Sequence, residues 1–503
     1  PLYSSAASDV YKRQEGDFRD LAFLKALLPD TALRRRVAIP ALIRLRGSAG
    51  ADRGTFSTAS TLSADGGELS VKGRFNPREQ SYDAAIRADS FPLNSFLPAD
   101  SLGIVDLTLQ ARGTGFDPLL PRTRTSLRAQ IDRAEFGGRD FGGIELDAEL
   151  DSQRLSGRIS DRDEALRLLL SVSGTLTERE QRIGLSGSVF GFDLAALGVS
   201  PEPIGGSFAL DASASAAGKG AYAARIALDS IEIRNKHRTD RIRPTSVSLH
   251  TDSAATRAEA ASGDLSLTFS TPQSADSLIA ALTRSARALA GQIDAQSIDM
   301  EQLKPALPDF ALRVSAGPDN ILNSLLKSRK IAFDALNAEG ANCDSLPVSI
   351  RLRTEGLAYG NVVLDTVTAD IRQNGKRLEY ALGLANAPGN LDNIARAGLY
   401  GHLVRNTGQA NLYQRNRAGR EGFRFGLDVT WTDSLVRASV TPPDPLFGFE
   451  PWTVNRGNYL AYRFDKRVEA DLDMTHGDQR FAIRTTPGGG DDDDIRLDIA
   501  GLN

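Results

Sequence analysis

The residue types that could do chemistry are scattered along this chain of 503 residues. Its histidines, His237, His250, His402 and His476, stand apart, with no HExxH spacing and no ligand pair beside any of them. Neither a zinc-protease helix nor a histidine general base is indicated. Asp471, Asp473 and Thr475 imitate the opening of a calcium loop, but the glycine falls one place late at Gly477. The position that needs a bidentate Glu is Ala482. There is no GxxxxGKS/T phosphate loop and no GxGxxG joining a strand to a helix. Gly184-Leu185-Ser186-Gly187 lacks the spacing of a nucleophile elbow and a histidine to serve it. Acidic residues abound, yet nothing selects one carboxylate pair for glycosidase-type chemistry. The single Cys343 excludes an intrachain disulfide framework and a multi-cysteine metal site, and reads as a small hydrophobe. No enzyme, cofactor or metal is expected.

Composition narrows the partners. The 60 Lys and Arg against 64 Asp and Glu leave a net charge of -4, and both signs are mixed along the whole length. Without a basic stripe, nucleic acid is not an expected partner. No run approaches the 18 or more apolar residues of a membrane span; the nearest, Leu21 to Leu28, is broken by Lys25. Pro1 to Gln14 resembles a translated sequencing-adapter tail and is set aside from fold reasoning. The expectation is a fragment whose native start, with any signal or anchor, has been lost.

The elements that would position a site are strands. After a short helix expected over Glu15 to Leu28, apolar residues recur at every second position. Phe56 to Ala64 and Leu69 to Phe75 flank the turn Asp65-Gly66-Gly67. Val367 to Gln373 and Arg377 to Leu384 flank Asn374-Gly375. Ile144, Leu146, Ala148 and Leu150 alternate with Glu145, Asp147, Glu149 and Asp151. Phe423, Phe425, Leu427, Val429 and Trp431 alternate with Arg424, Gly426, Asp428 and Thr430. Each such strand has one apolar and one hydrophilic face. Further strands are expected at Val468 to Met474 and Ile495 to Ile499. Between Gln273 and Lys330 the spacing turns helical, with Leu278, Ile279, Leu282 and Leu289 behind a Ser274 or Asp276 cap and a second helix from Pro318 to Lys327. Those apolar positions are expected to cover a sheet edge or close an end.

One short phrase recurs three times: Phe91-Pro92-Leu93-Asn94-Ser95-Phe96, Phe192-Asp193-Leu194-Ala195-Ala196-Leu197 and Ile298-Asp299-Met300-Glu301-Gln302-Leu303, each followed by proline. The first positions lie 101 and then 106 residues apart. Two apolar positions three apart and a closing proline suit one helical turn, so the chain reads as repeats of strand, plug and strand. Small residues at Ala59, Ala64, Gly73, Ala84, Ala148, Ala212 and Ala470 are expected to point inward. They would leave room that acyl chains could fill.

The plugs and strand-rich repeats resemble the AsmA-like superfamily of Gram-negative envelope proteins. Phe447-Gly448-Phe449-Glu450-Pro451-Trp452-Thr453-Val454-Asn455, with Asn458 and the strand from Val468, is similar to the TamB family, the translocation and assembly module subunits, in Bacteroidota-like versions. The resemblance covers most of residues 30 to 503. It implies a long twisted antiparallel sheet curled into a U-shaped, taco-like hydrophobic groove built of repeats. It further implies a periplasmic location in the cell envelope, an inner-membrane anchor, an outer-membrane β-barrel partner, and a role in phospholipid transfer and outer-membrane assembly.

On this reading residues 1–14 are the artefact tail, 15–29 a helix, 30–272 a groove, 273–330 a helical insertion or plug with a short strand, and 331–503 the groove continued and cut short. Acyl chains would lie on Val105, Leu107, Leu109, Ile144, Leu146, Leu150, Phe208, Leu210, Phe423, Phe425, Leu427, Val429 and Trp431, with Tyr380 left unassigned. The competing expectation is a non-enzymatic β-rich scaffold or adhesive protein with a closed core. A polysaccharide-active protein ranks last, since only Trp431, Trp452 and scattered Tyr could form aromatic platforms.

Overall fold

A computed structural model describes residues 10–19, 37–38, 40, 42–97, 102–218, 220–236, 238–327, 329–343, 346–386, 394–486 and 494–501, with backbone alone at 10–19 and 42. The chain is mainly β and divides into two compact units, Pro1–Ser246 and Val247–Asn503. In each, successive strands pair antiparallel as a meander, and the sheet does not close on itself.

The first unit runs from Val10–Arg19 and Leu42–Asp52 through hairpin after hairpin to Gly205–Ala217 and Ala221–Arg234. In the second, Thr256–Ser262 and Leu265–Thr271 precede the helical segment. Phe310–Ala316 then resumes a meander that ends at Asp494–Ala500. The tight connections carry the expected chemistry: Gly66 at φ +90 and Gly375 at φ +59 occupy the left-handed region that a side chain disfavours.

Local sequence is overridden at the start of the chain. The helix expected over Glu15 to Leu28 is not formed at Glu15 to Arg19, which belong to the strand Val10–Arg19, and residues 20–28 lie outside the described residues. The backbone here hydrogen-bonds along the free edge of Leu42–Asp52, with Gly16 opposite Leu45, and such pairing outweighs a weak helical pattern that contains glycine.

A 20-residue helix, Ala275–Asp294, does form behind Ser274, whose hydroxyl accepts from the Ser277 N–H. Its packed side keeps Leu278, which is half-buried, but not the other apolar positions expected there. Ala281 is buried, and Ser285 Oγ donates to the Ala306 carbonyl at 2.6 Å, while Ile279, Leu282 and Leu289 are exposed. Small side chains let the helix approach the turn at Met300–Leu303 closely, which larger ones at those positions would prevent. A second helix spans Ile321–Lys327.

Candidate functional site

Cross-strand register shows which side chains share a face, because directly opposed residues point the same way. In the first unit one row crosses eleven strands: Leu45, Leu62, Leu69, Ala88, Leu107, Ile131, Ile144, Asp161, Leu168, Val189 and Phe208. A parallel row contains Ile86, Leu109, Ala129, Leu146, Ile159, Leu170, Gly187, Leu210 and Leu228. Val105 and Leu150 alternate onto the same face, so all eight first-unit residues named from the sequence lie together. At about 4.8 Å between strands, the longer row measures about 48 Å along the sheet.

The second unit has its own row across ten strands: Ala260, Leu267, Val314, Ala338, Leu352, Ala369, Leu382, Leu399, Leu412 and Phe425. Phe423, Leu427, Val429 and Trp431 flank Phe425 on that face. Tyr380, unassigned from sequence, stands there too, opposite Ile371, and its hydroxyl donates to the Gln409 carbonyl at 2.9 Å. Among the small residues expected inward, Ala64, Gly73, Ala84, Ala148, Ala212 and Ala470 share the apolar faces. Ala59 does not. It pairs with Ser48 and Lys72 on the hydrophilic side, because Phe56 and Leu62 fix the opposite parity.

Glycine and aromatic residues fit across strands. A Cβ on Gly113 would come within 2.8 Å of the Tyr82 ring carbon Cζ, and one on Gly206 within 2.9 Å of Phe192 Cζ. These rings occupy the space that glycine leaves.

Much of the apolar face remains uncovered. Buried apolar side chains form two small clusters among the described residues, Ala88, Phe91 and Val105 in one and Met300, Leu303 and Val348 in the other, and further buried residues such as Ile231 and Trp452 lie outside both. Leu412 and Tyr462 keep 45% and 46% of their surface. A closed core would bury such residues almost completely.

The two clusters hold the first and third copies of the recurring phrase. Leu93 and Phe96, on the one-turn helix Leu93–Phe96, fold onto the first cluster, and Phe91 stacks on Phe96 with centroids 5.1 Å apart. Asp193 Oδ1 caps the second copy by accepting from the Ala195 and Ala196 N–H groups at 2.9 and 3.2 Å. Asp299 Oδ1 caps the third by accepting from Glu301 N–H at 3.0 Å, placing Met300 and Leu303 on Val348. The third copy follows a helix, whereas the first two join strands. The likeness is thus that of a turn.

The opposite face is charged. Arg124 meets Asp151 at 2.8 Å, Arg128 meets Asp147 at 3.1 Å and Arg112 meets Asp83 at 3.3 Å, all exposed. Such pairs contribute at most about 1 kcal/mol each. A hollow of about 650 Å³ in the first unit is lined by Arg74, Asp83, Arg112 and Arg124 beside Phe75 and Tyr82, so this recess borders charge.

Three carboxylates stand out. Asp161 is the one polar member of the eleven-residue row; burial raises its pKa against the opposing hydrogen bond from the Asp163 N–H. Burial would likewise raise Asp299. Hydrogen bonds from Arg405, at 3.2 Å, and from the Glu301 and Gln302 N–H groups nevertheless hold it below its usual value. Asp473 is lowered by bidentate bonds from Arg480 at 2.9 and 2.6 Å, with Arg484 also at 2.6 Å.

Sequence reasoning did not single out Asn323, whereas Asn455 and Asn458 belong to the segment whose sequence resembles the TamB family. Asn323 is fully buried and bonds both backbone groups of Phe333. Asn458 does the same for Val440, while Asn455 bonds the carbonyl of Asp471 and the N–H of Asp473. The segment Phe447 to Asn455 is thereby tied to the sheet, with Trp452 set edge-on to Phe447 at 5.8 Å. Pro318-Asp319-Asn320 ahead of a helix was the available signal for the first of these networks.

Among the described residues, the chemistry-bearing side chains named from the sequence stand apart. No cluster of three or more His, Cys, Asp or Glu positioned for a metal occurs among the described residues, and no described helix is long and apolar enough to cross a membrane. His476 Nδ1 lies 2.8 Å from the Pro451 carbonyl, a backbone contact. No protein-family model, curated protein or solved structure matches the chain.

Proposed function

We propose that this chain is a lipid-handling protein of the bacterial envelope, of the AsmA-like and TamB kind, on which phospholipid acyl chains lie along an apolar sheet face curved into a groove. The observation that carries the reading is the row of apolar side chains crossing strand after strand in each unit while its members stay partly exposed. Such a surface favours a long apolar ligand over a compact one.

The energetics suit passage. Full burial contributes about 0.8 kcal/mol per methylene, so ten half-covered methylenes contribute about 4 kcal/mol. That corresponds to a Kd of about 1 mM. A chain held this weakly can move from row to row, with its headgroup left in water. No residue transfers a proton or forms a bond, so the role is non-enzymatic. Inner-membrane anchorage and an outer-membrane β-barrel partner belong to the same proposal.

The test is transfer of a fluorescent phospholipid between two vesicle populations linked by the immobilised chain. The reading expects transfer that Phe425→Arg abolishes and Arg424→Ala leaves in place. Equal transfer by both variants would overturn it.

A further inference from the structure

The long helix exposes a second apolar feature that its packing does not use. Ile279, Leu282, Ala286, Leu289 and Ile293 follow one another at spacings of three and four, which align them in one stripe. Ile279, Leu282 and Ile293 keep 62%, 52% and 58% of their surface. The helix is held from its other side, where Ser285 bonds Ala306 and Gln292 bonds the backbone of Asp299.

The stripe leads into a cleft. At the helix C-terminus Ile293 and Ile298 face Trp431, Val436 and Phe464 across a cavity of about 320 Å³. Trp431 and Val436 are cross-strand partners on the apolar sheet face, so the stripe, the cleft and that face adjoin one another. The floor is fixed: Trp431 Nε1 donates to the Gln296 carbonyl, and Ile298 and Arg405 exchange backbone hydrogen bonds.

We propose that this cleft takes one acyl chain of a phospholipid, with the helix stripe as the wall along which the chain enters. The inference rests on the lipid-handling reading and adds a discrete binding position to it. No charged side chain lines the cavity, so an apolar chain meets no uncompensated charge there. The volume is at the lower end for ligand pockets and less than the roughly 420 Å³ that one turn of a helix about 10 Å across would occupy. A free fatty acid would bring a carboxylate with no cation in the lining to receive it. A phospholipid can insert one tail and leave its headgroup in water.

The experiment is quenching of tryptophan emission by vesicles of dibrominated phosphatidylcholine, since bromine quenches an indole only at contact. Quenching is expected in the full chain and absent in Trp431→Phe, which identifies the responding indole. Ile293→Asp, on an exposed helix position, is expected to weaken quenching at least about tenfold, and Ala280→Asp on another face of the helix to leave it unchanged. Unchanged quenching in Ile293→Asp overturns the cleft. So does equal or stronger quenching by free dibrominated fatty acid, or a dimer in which Trp431 is shielded. Lipid counted by native mass spectrometry separates the two levels: bound lipid without Trp431 quenching overturns the cleft alone, and no bound lipid overturns the lipid-handling reading with it.

Discussion

Leu146→Glu tests whether the apolar face is open. Leu146 stands between Ala129 and Ile159 on neighbouring strands and is half-buried. Fully burying a leucine contributes about 1.5–3 kcal/mol, so losing a partly covered one costs about 1 kcal/mol. On an uncovered face the new carboxylate stays hydrated and adds little. Under a second layer it would be an unpaired buried charge and add about 3–5 kcal/mol. Leu146→Ala removes similar apolar contact without charge and is the comparator. With a urea slope of about 1–3 kcal/mol/M, the open face predicts midpoints for the two variants within about 1 M of each other. Circular dichroism during urea titration reads the midpoints, and lipid extraction reads occupancy, which Glu but not Ala should reduce. An unfolded Leu146→Glu beside a folded Leu146→Ala would refute the open face.

Three further outcomes follow from hydrogen-bonded polar groups. Arg480 holds the Asp473 carboxyl below its usual value, so its stabilisation is complete at neutral pH and is lost as pH falls through that lowered pKa. Asp473→Asn should lower the Tm at pH 7 and flatten its fall below about pH 4, read by thermal scans across pH. Burial raises Asp161, so folding is less favoured as pH climbs from the usual carboxylate range through the raised value. Asp161→Asn should remove that slope and match or exceed the parent Tm at pH 7. Asn323→Ala leaves both backbone groups of Phe333 without their partner at a fully buried position, and should cost about 2–4 kcal/mol in urea denaturation.

What could be read from sequence was decided by period. The alternation at Ile144 to Asp151 and Phe423 to Trp431 identifies strands and faces together, since one residue of slip would turn every apolar side chain to water. Asp65-Gly66-Gly67 and Asn374-Gly375 located turns because positive φ needs glycine there. Register between distant strands was not available, and bulges such as the one between Val189 and Phe192 shift it. Ala59 went astray for a local reason: within a run of Ser, Thr and Ala its own composition does not tell one face from the other, and only the parity of Phe56 and Leu62 does. The helix stripe was visible, but which side would pack depended on small residues meeting Ala306, a contact 21 positions away. The capping role of Asp299 was local and legible, and its bond to Arg405, 106 residues on, was not.

The most direct measurement is native mass spectrometry of the chain purified from a Gram-negative envelope extract, with organic extraction of what travels with it. The account predicts several phospholipids per chain, fewer in Phe425→Arg, and no change in Arg424→Ala. A folded chain that carries no lipid would contradict it and favour a scaffold whose apolar faces are covered by protein.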